Sequence, residues 1–317
     1  MKQLQMTIVI GITAINLVQS CATLPQDNLQ ENPLFKSDEG KTIYNDAYNN
    51  LLEKYGVQYR DIWIKTYLGK THLIETGKKG GHPILLLHAA GVSAAEWYTN
   101  LNTLGKEFHL FALDMPGDAG KSELIRLPTN IADYELTILQ ILDTLKIQKI
   151  NLLGHSIGGF FAAGFSIAHP ERVDKLILLS PVTIHVAMHW YMKLIIKMGG
   201  GKQGKGPKAI KTLKMQAYKG FVPEPAFVEL MNAVRAYAHV RMLFPYVYSK
   251  EKLASLKVPT TLIVGTKEVL CNYKKSVRLA KKKIPGIKVH IIDNAGHTLN
   301  MEYPEKVNQL LLSILKG

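Results

Sequence analysis

The chain has 317 residues, with 39 Lys plus Arg against 25 Asp plus Glu, 47% hydrophobic residues and two cysteines. That composition excludes a disordered chain, and two cysteines exclude both a disulfide framework and an all-cysteine zinc site. The formal charge of +14 raises nucleic acid, an anionic membrane and an acidic substrate as partners, and where the charge lies decides among them.

The N-terminus reads as an export signal. A single Lys2 precedes an apolar run from Met6 to Val18. A run of that length spans roughly 20 Å as a helix, too short for a hydrocarbon core of ~30 Å, which is signal-peptide rather than transmembrane geometry. Cys21 follows Val18-Gln19-Ser20 and resembles the lipidated cysteine of bacterial lipoproteins, although Val18 stands where Leu is usual. The expectation is a signal peptide over 1–20, a lipidated tether over 21–50 and an exported protein anchored in the bacterial cell envelope. An ordinary secretory signal with an incidental Cys21 is the alternative. Ala22 to Gly40 is polar and aperiodic, as a tether would be. Cys271 is then left as a free, partly buried thiol.

From Val57 the pattern becomes regular. Ile62, Ile64 and His72 to Ile74 flank Tyr67-Leu68-Gly69-Lys70 as a hairpin would. Six short apolar runs follow: Ile84–Leu87, Leu110–Leu113, Ile150–Leu153, Leu176–Leu179, Thr261–Val264 and Val289–Ile292. Runs of this kind suit parallel strands buried on both faces. Helical stretches such as Ile131–Leu145 and Gly159–Ala168 lie between them. The alternation predicts an α/β fold, a doubly wound, mostly parallel eight-stranded sheet. No strand pattern occupies 183–250, which is read as a helical cap inserted into a core of 51–182 and 251–317.

The strand Ile150–Leu153 runs into Gly154-His155-Ser156-Ile157-Gly158-Gly159 and then a helix. This is G-x-S-x-G at a strand–helix elbow, the context in which Ser156 would be an exposed nucleophile. His155 is assigned to packing near the elbow. A serine hydroxyl needs a base, and the base needs a carboxylate to orient it. His297 follows the last strand, and Glu268 is the sole carboxylate in the turn after Thr261–Val264; Asp293 is its rival, or a brace for the His297 loop. Two main-chain N–H groups, of Ile157 and of Ala90 in the His88-Ala89-Ala90-Gly91 loop, would hold an oxyanion. His88 is a candidate for ordering that loop. Gly117-Asp118-Ala119-Gly120-Lys121-Ser122 mimics a phosphate-binding loop, but Met115 stands where the first Gly is required and Pro116 lacks an N–H.

These stretches together resemble the α/β-hydrolase superfamily from about Val57 to the C-terminus, including Asp114-Met115-Pro116-Gly117 and Ala295-Gly296-His297 running into Glu302 and Pro304. The resemblance implies a structural turn at Asp114–Ser122 and an esterase- or lipase-like serine hydrolase that needs neither metal nor organic cofactor. Ala89 replaces the usual Gly after His88, and Glu268 stands where Asp is commoner. Other reactions on the same triad are thioester cleavage, C–C bond hydrolysis and cofactor-free peroxidation; a non-catalytic lipoprotein is a further alternative.

The charge is local. Between Thr183 and Lys250 lie nine Lys and two Arg against Glu224 and Glu229. Val186–Met198 is almost wholly apolar, either a helix packed on the core or a lid that touches lipid. Lys208, Lys211, Lys214 and Lys219 are expected along one side of a helix, with Ile210, Leu213 and Ala217 opposite; that side is a solvated face or a contact for anionic headgroups. The expected partners are a small-molecule or lipid ester and a membrane, with nucleic acid excluded.

Overall fold

The structure, a computed structural model, describes residues 34–190 and 209–317. The signal peptide, Cys21, Lys208 and most of the apolar stretch 186–198 lie outside the described residues.

The apolar runs pair into one sheet. β1 (Tyr59–Thr66) and β2 (Gly69–Gly77) form the expected antiparallel hairpin, with Ile62 opposite Leu73 and Ile64 opposite Thr71. β3 (Pro83–Leu87), β4 (His109–Leu113), β6 (Ile150–His155), β7 (Val173–Leu179), β8 (Thr260–Gly265) and β9 (Lys288–Ile292) are mutually parallel. The order is β1-β2-β4-β3-β6-β7-β8-β9, eight strands in line. A ninth, the two-residue β5 (Glu123–Leu124), pairs with β2 and carries too short a pattern to be read from sequence.

Successive residues of each central strand point to opposite faces, and both faces are covered. Ile84 and Leu86 of β3 pack with α1 (Asp38–Lys54), α2 (Leu101–Gly105) and the 3₁₀ turn Ala94–Thr99. Leu85 and Leu87 pack with α3 (Ile131–Thr144) and α4 (Ile157–Ala168). Every residue of α4 from Ile157 to Ser166 is buried and all but Ser166 are apolar or glycine, so the helix meets solvent only at its last two residues, Ile167 and Ala168.

One boundary differs from expectation. Residues 38–50, assigned to the tether, are helical. Ser37 caps α1 by accepting the Gly40 N–H at 3.0 Å, and Tyr44, Tyr48, Leu51 and Leu52 turn one stripe inward. That stripe joins the same buried cluster as Ala226, Phe227, Leu230 and Val234 of the cap. Main-chain bonds from Lys36 N–H to the Tyr237 carbonyl (2.9 Å) and from His239 N–H to the Leu34 carbonyl (2.7 Å) reinforce the contact. The cap is therefore continuous with the core on this side. Within it α5 (Ala209–Gln216) and α6 (Pro225–Tyr237) are helical, and 238–249 carries no helix or strand. Leu213 and Ala217 are buried as expected; Ile210 is 40% exposed, and Lys219 lies beyond the end of α5.

The segment Asp114–Ser122 is a buried structural turn. Asp114 accepts hydrogen bonds from the main-chain N–H groups of Ala94 (2.7 Å) and Lys121 (2.8 Å) and pairs with His72 Nδ1 at 2.7 Å. Lys121 Nζ turns to Asp61 at 3.0 Å and Asn49 at 2.9 Å. The N–H and lysine that a phosphate would require are thus committed within the protein.

Asp118 in this turn accepts the N–H groups of Ala119 (2.7 Å) and Gly91 (2.8 Å) while wholly buried. Burial, opposed by His88 and those two N–H donors, pushes its carboxyl from an ordinary 3.8 up to about 7. The folded protein therefore holds a proton here that the unfolded chain has released, so this group takes stability away as pH rises from about 4 to about 7. In Asp118→Asn that slope disappears. Urea titrations between pH 5 and pH 8 should show the difference between wild type and variant changing by about 3 kcal/mol, on top of a pH-independent loss of about 1 kcal/mol for the N–H left facing the amide NH₂.

Candidate active site

β6 ends by turning sharply into α4, and Ser156 is the turn. Its φ is 53° and ψ −116°, a conformation that few side chains adopt. Packing imposes it. A Cβ on Gly158 would sit 2.1 Å from the Leu87 carbonyl oxygen, and one on Gly154 would sit 2.5 Å from that of Gly158. Only glycines let β3, β6 and α4 approach this closely. The Ser156 N–H donates to the Leu179 carbonyl at 3.0 Å, and its own carbonyl accepts from Gly159 and Val182, both at 3.2 Å. These bonds hold the hydroxyl at the C-terminal ends of the parallel strands.

The loop after β9 brings His297 to that hydroxyl. His297 Nε2 lies 2.9 Å from Ser156 Oγ, and Nδ1 lies 2.9 Å from Glu268 Oε2. A carboxylate can only accept, so Nδ1 carries the proton and the Nε2 lone pair faces the hydroxyl. Glu268 is almost fully buried, and its other oxygen accepts the Leu270 N–H at 2.8 Å. Burial alone would raise its pKa, but the His297 imidazole and these hydrogen bonds outweigh that and hold the carboxyl below its ordinary value. Asp293, the rival acid and expected brace, is exposed. The brace is Glu302, which accepts from Gly296 N–H (2.8 Å), the Thr298 hydroxyl (2.9 Å) and Tyr218 N–H (2.9 Å). The cap contributes too: the Gln216 carbonyl accepts the His297 N–H at 2.7 Å.

The loop after β3 lies alongside. His88 Nε2 accepts the Met115 N–H at 3.0 Å, and its Nδ1–H donates to the Ala89 carbonyl at 2.7 Å, which orders the loop as expected. The Ala89 N–H goes to Glu96 (2.7 Å) and the Gly91 N–H to Asp118 (2.8 Å). The N–H of Ala90 lies between two that carboxylates anchor. Ile157 opens α4, where the first N–H groups have no acceptor within the helix. Ala89 in place of Gly is accommodated, since its side chain is only partly buried.

Sequence reading missed Glu96. It is wholly buried and bonded through Oε1 to Nδ1 of His155, whose Nε2 donates to the His297 carbonyl at 2.9 Å. Burial works against both charges, yet each partner offsets it: Glu96 is held below and His155 above its ordinary pKa. His155 is thus a hydrogen-bonding hub rather than a packing residue. Nothing local in sequence marks Glu96, which lies 59 residues from its partner. Cys271 is a free, buried thiol beside Glu268, and burial pushes its pKa up to about 12. Among the described residues no group of three or more His, Cys, Asp or Glu could hold a metal ion. A groove of about 510 Å³ lined by Tyr55, Tyr98, Phe221 and Asn308 contains none of Ser156, Glu268 and His297.

Comparison with known proteins bears on this arrangement. The family profile described as alpha/beta hydrolase fold matches residues 82–201. The chain is 29% identical to the carboxylesterase YbfK of Bacillus subtilis over 297 residues, covering 91% of this chain and 99% of the relative. It is 31% identical to a protein of the same organism described as the uncharacterized carboxylesterase nap over 288 residues, covering 87% and 93%. The crystal structure of naproxen esterase from Bacillus subtilis superposes with a TM-score of 0.81 at 30% identity, covering 88% of this chain and 99% of that one. The chain therefore belongs to the α/β-hydrolase family, and these full-length relatives are carboxylesterases.

Proposed function

We propose that this α/β-hydrolase cleaves carboxylic esters by acyl transfer through Ser156, His297 and Glu268. The carrying observation is the continuous hydrogen-bonded chain from Glu268 through His297 to Ser156, with both links at 2.9 Å. His297 Nε2 takes the hydroxyl proton as Ser156 Oγ attacks the ester carbonyl. The N–H groups of Ala90 and Ile157 take up the charge on the carbonyl oxygen, aided by the N-terminal end of α4. Glu268 keeps His297 in the required tautomer and stabilises the imidazolium. His297 then passes the proton to the departing alkoxide, and the acyl group remains on Ser156. A water deprotonated by the same imidazole attacks the acyl-enzyme, releases the acid and restores the hydroxyl. Full-length similarity to carboxylesterases supports an ester as substrate.

We further propose that the enzyme is exported and tethered through lipid on Cys21, on the grounds of the short apolar run and the polar stretch after it. The exposed Lys211, Lys214 and Lys219 of the cap suit an anionic lipid surface. Among the described residues no helix is long and apolar enough to cross a membrane.

A fluorophosphonate probe should label the wild type and not Ser156→Ala, whose turnover of p-nitrophenyl acetate falls by about 10³-fold or more. Absence of label on the wild type overturns the mechanism. Glu268→Gln should lower kcat by about 10²–10⁴-fold with little change in KM, because the acid acts after substrate binds. Radiolabelled palmitate should enter the wild type and not Cys21→Ala when each is expressed in a bacterial host. Replacing Lys211, Lys214 and Lys219 with Gln should weaken sedimentation with phosphatidylglycerol vesicles by about tenfold or more, at about 1 kcal/mol per lysine; unchanged sedimentation leaves the lysines as a solvated face.

A further inference from the structure

Three loops must agree before Ser156 can react: the one carrying Ala90, the elbow itself and the one carrying His297. Two buried side chains join all three. Glu96 holds the Ala89 N–H with Oε2 at 2.7 Å and His155 Nδ1 with Oε1. His155 is the residue before Ser156, and its Nε2–H holds the His297 carbonyl at 2.9 Å, with the two imidazole rings 5.2 Å apart. Neither side chain is exposed, and every oxygen and nitrogen of the two is engaged.

We infer that Glu96 and His155 are positioning residues, a buried acid–imidazole link that sets the Ala90 N–H and the His297 imidazole against Ser156 as one unit. This rests on the reading of Ser156 as nucleophile. A side chain needed merely to fill space would not have to reach a main-chain N–H on one loop and a carbonyl on another. The Glu96 bond fixes the His88–Ala89 peptide, one before the peptide that carries the Ala90 N–H, and the backbone of His297 is held at the root of its ring. A displacement of about 1 Å between a base and an oxyanion donor can cost on the order of 10²-fold in rate.

The link makes a distinctive demand: length matters and charge does not. Glu96→Gln keeps the length. Its oxygen accepts the Ala89 N–H, its NH₂ donates to an unprotonated His155 Nδ1, and His155 Nε2–H still reaches the His297 carbonyl. Glu96→Asp keeps the charge and is one methylene too short to hold both ends. With p-nitrophenyl acetate on the full chain, Glu96→Gln should retain kcat within about threefold of wild type, and Glu96→Asp should lose about tenfold or more with KM nearly unchanged. His155→Leu should lose about as much as Glu96→Asp, and the double variant no more than either, because the two act as a unit. Thermal unfolding by circular dichroism identifies the variants that are folded at the assay temperature; if His155→Leu is not, the Gln and Asp variants carry the test. Glu96→Asp matching wild type, or Glu96→Gln falling as far as Glu96→Asp, overturns the inference. Failure of the wild type to label with fluorophosphonate overturns the nucleophile reading instead, so the two failures are distinct.

Discussion

At Ser156 the chain leaves β6 for α4 in a conformation that costs a non-glycine residue on the order of 1–3 kcal/mol. The surrounding structure makes every other conformation worse. Leu87, Gly154 and Gly158 leave no room for the backbone to relax, and the Ser156 N–H and carbonyl are both committed across the turn. The strain has a use: it sets one hydroxyl just before a helix whose first ten residues are buried and holds it at the ends of β3, β6 and β7. All other parts of the site are arranged around that fixed point.

What surrounds it is a set of buried carboxylates, each in a different electrostatic condition. Glu268 faces the imidazole that faces Ser156 and stays ionised. Glu96 stays ionised through His155, one residue from Ser156. Asp114, paired with His72, pins the turn that closes over the loop after β3. Asp118 has two main-chain donors and no side-chain cation bonded to it, and its carboxyl is accordingly the one driven upward. A buried carboxylate is tolerated where a cation or several N–H groups meet it, and the fold supplies these unequally. Loop order and proton state are therefore coupled throughout the site.

The cap belongs to this arrangement more closely than an insertion would suggest. Gln216 reaches the His297 N–H, Tyr218 shares Glu302 with Gly296, and α6 packs on α1. Residues at 34–54 and 209–238 thus bracket the site from the N-terminal and the middle parts of the chain. Among the described residues of the cap, Lys211, Lys214 and Lys219 stay outside this bracket and are exposed.

Much of this was legible in the residues alone. Six apolar runs and a hairpin placed the strands, because a strand buried on both faces has few ways to be written. G-x-S-x-G at a strand end marked Ser156, and chain order marked Glu268 and His297, since each had to follow a strand of the same sheet. Met115 and Pro116 disposed of the false phosphate loop. Helix α1 was obscured by its polar neighbours, although Tyr44, Tyr48, Leu51 and Leu52 carry its stripe; a stripe shows amphipathicity and not which surface will cover it. The buried bonding roles of Glu96, Glu302 and Asp118 could not be read, because a buried carboxylate is written with the same letters as a solvated one. Local sequence determined the elements, the elbow and the three residues that the fold joins in the Glu268–His297–Ser156 hydrogen-bonded chain, because these follow from periodicity and from the sterics of adjacent residues. Tertiary structure decided which carboxylates lie in the dark beside which imidazoles, because burial and a partner from a distant part of the chain exist only once the sheet has closed.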